Sequence, residues 1–174
     1  MARRDPPPRA VVGVAMIEFT ILGEPVPWGR VTPMLFYVGK QARVRMVTPE
    51  KTRNAEASFA KAASLKRPRK PLDGALFVTT VFVITPPQRL DVDRSRDWPH
   101  VKPDDDNYRK LVLDALNGIF WHDDAQICGG QSFKIYGAPA RTFVQIYPLG
   151  PADVARVREM LGEPASPQPS LFGG

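Results

Sequence analysis

Cysteine and histidine are scarce in this chain of 174 residues, which has one cysteine and two histidines. An intrachain disulfide is therefore excluded, and a structural zinc site with four such ligands is not expected. The lone cysteine fits a reducing compartment, and we expect a cytoplasmic protein. No apolar run is long enough to span a bilayer, and no signal-peptide pattern follows the N-terminus.

Positive charge is abundant by contrast. The formal net charge is +6 and the isoelectric point is about 9.7. This balance favours a polyanionic partner such as nucleic acid, although a basic soluble protein without such a partner is the plainer alternative. A hydrophobic content of 43% indicates a globular chain, and the length fits one domain.

The patterning predicts a single α+β domain over residues 16–161, with a disordered leader at 1–15 and a flexible tail at 162–174. Met16 is a candidate alternative start. We expect a mixed, mostly antiparallel sheet with helices largely on one face. Apolar periodicity and turn residues predict strands at 17–23, 75–84, 125–136 and 141–149, a hairpin over 35–47, and helices at 48–66, 106–117 and 151–161.

Three carboxylates flank the central predicted helix. Asp104 and Asp106 precede it, two residues apart, and Asp124 follows it. Carboxylates that converge on one point repel each other unless a cation is present, and hard oxygen ligands suit Mg²⁺ or Mn²⁺. A metal site on a basic chain is typical of enzymes that cleave nucleic acid.

Lys110 is the candidate phosphate ligand, since it lies one helical turn after Asp106. Its plainer role is a surface ion pair with Asp106 or Asp114. The acids also have a purely structural interpretation, in which Asp106 caps the helix and the other acids are exposed to solvent. A second acidic pair, Asp91 and Asp93, ranks lower because no lysine or helix follows it.

The segment around these acids resembles a known family. It reads Lys-Pro-Asp-Asp-Asp-Asn-Tyr-Arg-Lys-Leu-Val-Leu-Asp-Ala-Leu-Asn-Gly at 102–118, followed by Trp-His-Asp-Asp-Ala-Gln-Ile at 121–127. This looks like the signature of RusA-type Holliday junction resolvases. The segments Gly-Glu-Pro-Val-Pro-Trp-Gly-Arg at 23–30 and Thr-Pro-Glu-Lys at 48–51 are also similar.

The resemblance implies a RusA-like fold and a homodimeric, Mg²⁺-dependent endonuclease. Such enzymes cut four-way DNA junctions in recombination and repair, and phages or prophages encode many of them. Carried over by motif, the metal ligands are Asp104, Asp106 and Asp124, and the catalytic lysine is Lys110. Asn107 and Asp123 match supporting positions, and Asp105 is expected to point away from the metal.

Two departures from the family pattern affect DNA contacts. The loop at 88–100 looks longer than usual, and Val31-Thr32-Pro33 follows Arg30 where relatives often carry Arg-Pro-Arg. We expect phosphate contacts from a set of basic residues in the N-terminal third of the chain: Arg30, Lys40, Arg43, Arg45, Lys51 and Arg53. The cluster at 66–70 is a further candidate.

Other residues have competing interpretations. Trp28 is a candidate wedge at a junction, but packing in the core or a dimer interface is the plainer reading. Trp121 and Cys128 are expected to be packed, and His122 is expected to be a surface residue rather than a general base. Gln126 is expected on the same strand face as Asp124.

Two other functions fit parts of the sequence. One is a DNA-binding module without catalytic activity, in which the acids only cap a helix or remain exposed to solvent. The other is a metal-dependent phosphohydrolase acting on nucleotides, although no glycine-rich phosphate loop supports it.

Overall fold

A computed structural model describes residues 16–87 and 98–164. The predicted leader, most of the predicted tail and the pair Asp91 and Asp93 lie outside these ranges. The elements in chain order are β1 (Ile17–Leu22), β2 (Thr32–Val38), β3 (Gln41–Val47), α1 (Glu50–Ser64), β4 (Leu76–Ile84), α2 (Asp105–Leu116), β5 (Ile127–Tyr136), β6 (Arg141–Pro148) and α3 (Pro151–Met160).

Four strands form one sheet in the order β1-β6-β4-β5. Strand β6 runs antiparallel to both β1 and β4, whereas β4 and β5 are parallel. The predicted mixed, mostly antiparallel sheet is confirmed. Strands β6 and β4 lie inside the sheet, and most β4 side chains are apolar on both faces, as a covered strand requires, whereas β5 lies at an edge.

Helix α2 connects the two parallel strands, as such a pair requires. Its apolar residues recur at helical spacing, and five of them are buried: Tyr108, Leu111, Val112, Ala115 and Leu116. Gly118 follows with φ +74°, a left-handed conformation that ends the helix and that glycine adopts without strain. Helix α1 packs against α2 and β1, so both helices cover one face of the sheet.

The core lies between this face and the two helices. Val78 and Phe82 of β4 pack with Val144 and Ile146 of β6 and with the buried stripe of α2. Trp121 is fully buried, as predicted. Fully burying side chains of this size stabilises the fold by about 1.5–3 kcal/mol each.

Strands β2 and β3 form a separate two-stranded hairpin. Every residue in it is exposed except Val47, which is half-buried. A turn at Gly39 and Lys40 joins the strands, and Gly39 has φ +61°. The hairpin was predicted over 35–47, with strands at 35–38 and 44–47. Both strands end as predicted, but they begin three residues earlier, at Thr32 and Gln41.

Candidate active site

The first turn of α2 carries the acidic motif. Asp104 occupies the N-cap position in an extended conformation, without a side-chain capping bond. Asp106 was predicted to cap the helix, but it lies within the first turn instead, and its Oδ1 accepts a hydrogen bond from the Asn107 amide at 2.9 Å. Both carboxylates are exposed. The positive end of the helix dipole favours negative charge here.

Asp105 faces the sheet rather than the two exposed acids. The Ser132 hydroxyl of β5 donates to Asp105 Oδ1 at 2.9 Å, and the buried Thr80 hydroxyl of β4 donates to Ser132 at 3.0 Å. This chain of hydrogen bonds ties the start of α2 to the sheet. It also explains physically why Asp105 points away from its neighbours.

Lys134 fixes the backbone that leads into the motif. Its ammonium group donates to the carbonyls of Val101 and Pro103 at 2.9 and 2.8 Å. Because Lys134 belongs to β5, the approach to Asp104 is held against the second half of that strand. Nothing in the local sequence around Lys134 indicated this role, since its partners lie more than 30 residues away.

Lys110 contacts Asp114 and Trp28. Its Nζ lies 3.0 Å from Asp114 Oδ2 and 4.9 Å from the centroid of the Trp28 ring. Trp28 is positioned by its backbone amide, which donates to the carbonyl of Asn107 at 2.8 Å. The surface pair with Asp114 is therefore present, and a cation–π contact accompanies it.

Glu56 of α1 completes this charged group. Burial raises the pKa of its carboxyl above the ordinary 4.5, and nearby Asp114 raises it further, whereas Lys110 and a hydrogen bond from Trp28 lower it. The sequence analysis missed Glu56, because only the packing of α1 on α2 brings it near Lys110. No motif within α1 gives that information.

The segment after α2 differs from its prediction. Asp124–Gln126 is a 3₁₀ turn, so the expected strand starts later and Asp124 and Gln126 do not share a strand face. The Asp123 carboxylate caps the turn by accepting from the Ala125 amide at 2.7 Å. Gln126 closes the turn from the other side, where its Oε1 accepts from the amides of His122 and Asp123.

Asp124 has a partner of its own. Its Oδ1 accepts a hydrogen bond from the Trp121 indole at 2.8 Å, and the residue is half-buried. Trp121 is bridged to Asn117 at the C-terminal end of α2. The carboxylate of Asp124 is therefore held beside the end of the helix, while Asp104 and Asp106 lie at its start.

Within residues 16–87 and 98–164, no group of three or more Asp, Glu, His or Cys side chains is arranged to hold a metal ion. A single chain thus brings Asp104 and Asp106 to one end of α2 but does not bring Asp124 to them. The oxygen donors suit Mg²⁺ by their chemistry, but their arrangement in one chain does not fit a shared ion.

Two other predicted placements are settled by the structure. Cys128 is exposed on β5, so the prediction that it packs inside was wrong. Cys128 lies at a register shift between β4 and β5, where Ile127 pairs with Leu76 and Gly129 with Phe77, so it has no partner in the sheet register. His122 is a surface residue as predicted, and its Nε2 lies 3.2 Å from the exposed carboxylate of Asp73.

The basic residues predicted to contact DNA are all on the surface. Exposed positions are taken by Arg30, Lys40, Arg43, Arg45, Lys51 and Arg53. Three of them lie on the β2–β3 hairpin or its turn. They are therefore available to phosphates, and none is used in the core.

Comparison with known proteins identifies the family. The sequence model of the family "Endodeoxyribonuclease RusA" matches residues 23–147. The chain belongs to the RusA family. As a RusA-family protein it is an endodeoxyribonuclease, an enzyme that hydrolyses DNA, and the α+β fold agrees with that family.

A curated relative spans most of the chain. The "Uncharacterized protein YqaN" of Bacillus subtilis (strain 168) is 30% identical over 138 residues, covering 75% of this chain and 94% of that protein. The RusA match begins directly after β1 and extends into β6, so it includes α2, the 3₁₀ turn and the hairpin. None of the helices in the described part of this RusA-family chain is long and apolar enough to cross a membrane.

Proposed function

We propose that the protein is a structure-selective endonuclease that resolves four-way DNA junctions by paired hydrolysis of phosphodiesters. The observation that carries this proposal is the start of α2 in a RusA-family chain, where two exposed acids, Asp104 and Asp106, are followed one turn later by the exposed Lys110. Its dependence on a divalent cation, Mg²⁺ with Mn²⁺ as a substitute, is part of the proposal. So are a homodimeric state, a cytoplasmic location, a phage or prophage origin and a role in recombination and repair.

In this proposal Lys110 meets the scissile phosphate and stabilises the negative charge that develops during hydrolysis. Its contacts with Asp114 and the Trp28 ring limit the positions that its long side chain can occupy. Asp104 and Asp106 are the proposed metal ligands at this end of the helix. Asn107 supports them through its backbone, which links the first turn of α2 to Trp28.

The exposed basic residues are proposed to bind the DNA backbone. Phosphate contacts supply affinity without reading sequence, which suits an enzyme that recognises branch geometry. Two catalytic sites related by a two-fold axis fit the two-fold symmetry of a four-way junction, and paired cuts follow from that match.

A substrate comparison tests the proposal. Purified protein is incubated with four-way junctions, linear duplex and free nucleotides, with Mg²⁺ or with excess EDTA. We expect paired cuts in the junction, little cutting of duplex, no release of phosphate from nucleotides, and complete loss of cleavage with EDTA.

Other results of that comparison point to other functions. Junction binding without cleavage under any metal condition contradicts the nuclease proposal and favours a DNA-binding module. Preferential hydrolysis of nucleotides favours a phosphohydrolase.

A further inference from the structure

Lys110 has two acids of its own helix within reach. Asp106 lies four residues before it and Asp114 four residues after it. The two acids are about 12 Å apart along the helix axis, so the ammonium group contacts only one of them at a time. An acid on the N-terminal side of a lysine is the better partner on an isolated helix, which favours Asp106. In the structure Lys110 pairs with Asp114 instead, with Nζ 3.0 Å from Oδ2 and 3.1 Å from Oδ1.

The Trp28 ring accounts for this choice of partner. The Lys110 ammonium group lies 4.9 Å from the centroid of the ring, within the range of a cation–π contact. Such a contact at an exposed site favours its geometry by about two- to five-fold. The two orientations of an ion pair at this spacing differ by less than about two-fold on a helix surface. The contact with the ring therefore outweighs the intrinsic preference for Asp106.

Trp28 is held in place by contacts that do not involve Lys110. Its amide donates to the carbonyl of Asn107 in α2 at 2.8 Å, and its side chain hydrogen-bonds to Glu56 of α1. The next amide, of Gly29, donates to the buried Thr52 hydroxyl of α1 at 2.9 Å. A Cβ at Gly29 would lie 2.7 Å from that hydroxyl, so a larger residue would push the loop away from α1. Both helices thus fix the ring beside Lys110.

The arrangement leaves part of the ammonium group available. A lysine ammonium has three N–H donors. The Asp114 carboxylate and the face of the Trp28 ring occupy two sides of it, while the Lys110 side chain remains 47% exposed. The ring also excludes water from one side of the charge, and a lower local dielectric strengthens its attraction to an anion.

We propose that Trp28 is a positioning residue that directs Lys110 to Asp114 and away from Asp106. Lys110 then keeps a donor for the DNA phosphate, and the Asp106 carboxylate stays free of an ion pair with it. The proposal rests on the proposed nuclease function, since the phosphate is that of the scissile bond. Trp28 acts through Lys110, which distinguishes this role from that of a wedge inserted between base pairs.

Two substitutions of Trp28 test the role of the ring. Trp28→Leu is expected to lower the single-turnover rate of junction cleavage about five-fold at saturating enzyme, because Lys110 moves towards Asp106. Junction affinity is expected to stay unchanged. Trp28→Phe keeps an aromatic face and is expected to recover more than half of the wild-type rate. A wild-type rate in Trp28→Leu, or equal losses in the two variants, overturns the proposal.

A double substitution distinguishes positioning from a general effect on the fold. If Trp28 acts through Lys110, Trp28→Leu has no further effect on cleavage in a Lys110→Ala background, where the lysine is already absent. A second five-fold loss in that background means that Trp28 acts independently of Lys110, and this result overturns the positioning role. Both backgrounds are compared at a temperature where thermal unfolding shows every variant to be folded.

Nuclear magnetic resonance gives a readout that needs neither cleavage nor DNA. Protons held over an aromatic ring are shifted upfield, so the Lys110 methylene resonances next to Nζ are expected upfield of those of exposed Lys61. The Lys110→Ala spectrum assigns them, and the shift is expected to disappear in Trp28→Leu. An unshifted Lys110 in the wild type overturns the proposal. A shifted Lys110 in a protein that cuts no junction contradicts only the proposed function.

Discussion

At the scale of single residues, Lys110 makes structural contacts and is also the proposed catalytic lysine. Its pair with Asp114 has the i, i+4 spacing of an ordinary surface ion pair, which contributes only about 0.3–0.5 kcal/mol. The Trp28 ring beside it comes from a loop distant in sequence. The contacts therefore restrict Lys110 more than they stabilise the fold.

Lys110→Ala is expected to reduce single-turnover cleavage of a four-way junction about 100-fold, because a charged group aimed at the reacting phosphate is lost. Junction affinity and thermal stability are expected to change little. Lys61→Ala is the matched control, since Lys61 is an exposed lysine near the end of α1. Cleavage by Lys110→Ala at the rate of this control contradicts the assigned role.

Glu56 gives a prediction on pH. Its pKa is raised in the folded protein, so the folded state favours the protonated carboxyl. The stability that this provides is fully present below the ordinary pKa of 4.5 and is lost as pH rises through the raised value.

We therefore expect Glu56→Gln to match the wild type in thermal unfolding below pH 4.5 and to become the more stable protein as pH rises above it. Melting temperatures across that pH range measure the difference. Glu159→Gln on α3, an exposed glutamate, is the control. A difference between Glu56→Gln and the wild type that stays constant with pH is the contrary result.

At the scale of elements, α2 was predicted within one residue at each end. The reason is local: its apolar stripe recurs at helical spacing and is buried as a unit. The segment after it was predicted as strand but forms a 3₁₀ turn. The Gln126 side chain holds this turn by donating to the carbonyls of Leu72 and Gly74, which lie more than 50 residues earlier. No pattern within 124–126 contains that information.

Ser132 links α2 to the sheet, and its removal tests that link. Ser132→Ala leaves Asp105 and Thr80 without their shared partner, and we expect the free energy of unfolding to fall by about 1 kcal/mol. Urea denaturation measures it. Ser64→Ala is the control, because the Ser64 hydroxyl makes only an exposed bond to the carbonyl of Lys61. Equal effects of the two substitutions contradict the anchoring role.

At the scale of the whole molecule, the two faces of the β2–β3 hairpin differ in character. Opposed residues of an antiparallel pair share a face, and the register places Arg43 opposite Phe36 and Arg45 opposite Met34. The other face carries only apolar residues: Pro33, Leu35, Tyr37, Ala42, Val44 and Met46. Alternation along the strands thus puts both hairpin arginines on one side.

The paired substitution Arg43→Ala and Arg45→Ala is expected to weaken junction binding and to reduce the slope of log affinity against log salt by about 2, roughly one for each lost phosphate contact. Fluorescence anisotropy over a salt series measures the slope. The control is Arg156→Ala with Arg158→Ala on α3, which removes the same charge elsewhere. An unchanged slope in the hairpin variant contradicts DNA contact by that face.

The sequence alone determined the acidic motif, the helix it precedes, the central strand β4 and the RusA resemblance that the family match confirms. These features depend on residue types and short spacings, which the chain carries locally. Only the tertiary structure decided where the acids lie. Parallel pairing of β4 and β5 requires the chain to cross back over one face of the sheet through α2, and this places Asp104 and Asp124 at opposite ends of the helix. Acids that flank the helix in the sequence are thereby kept at its two ends in space.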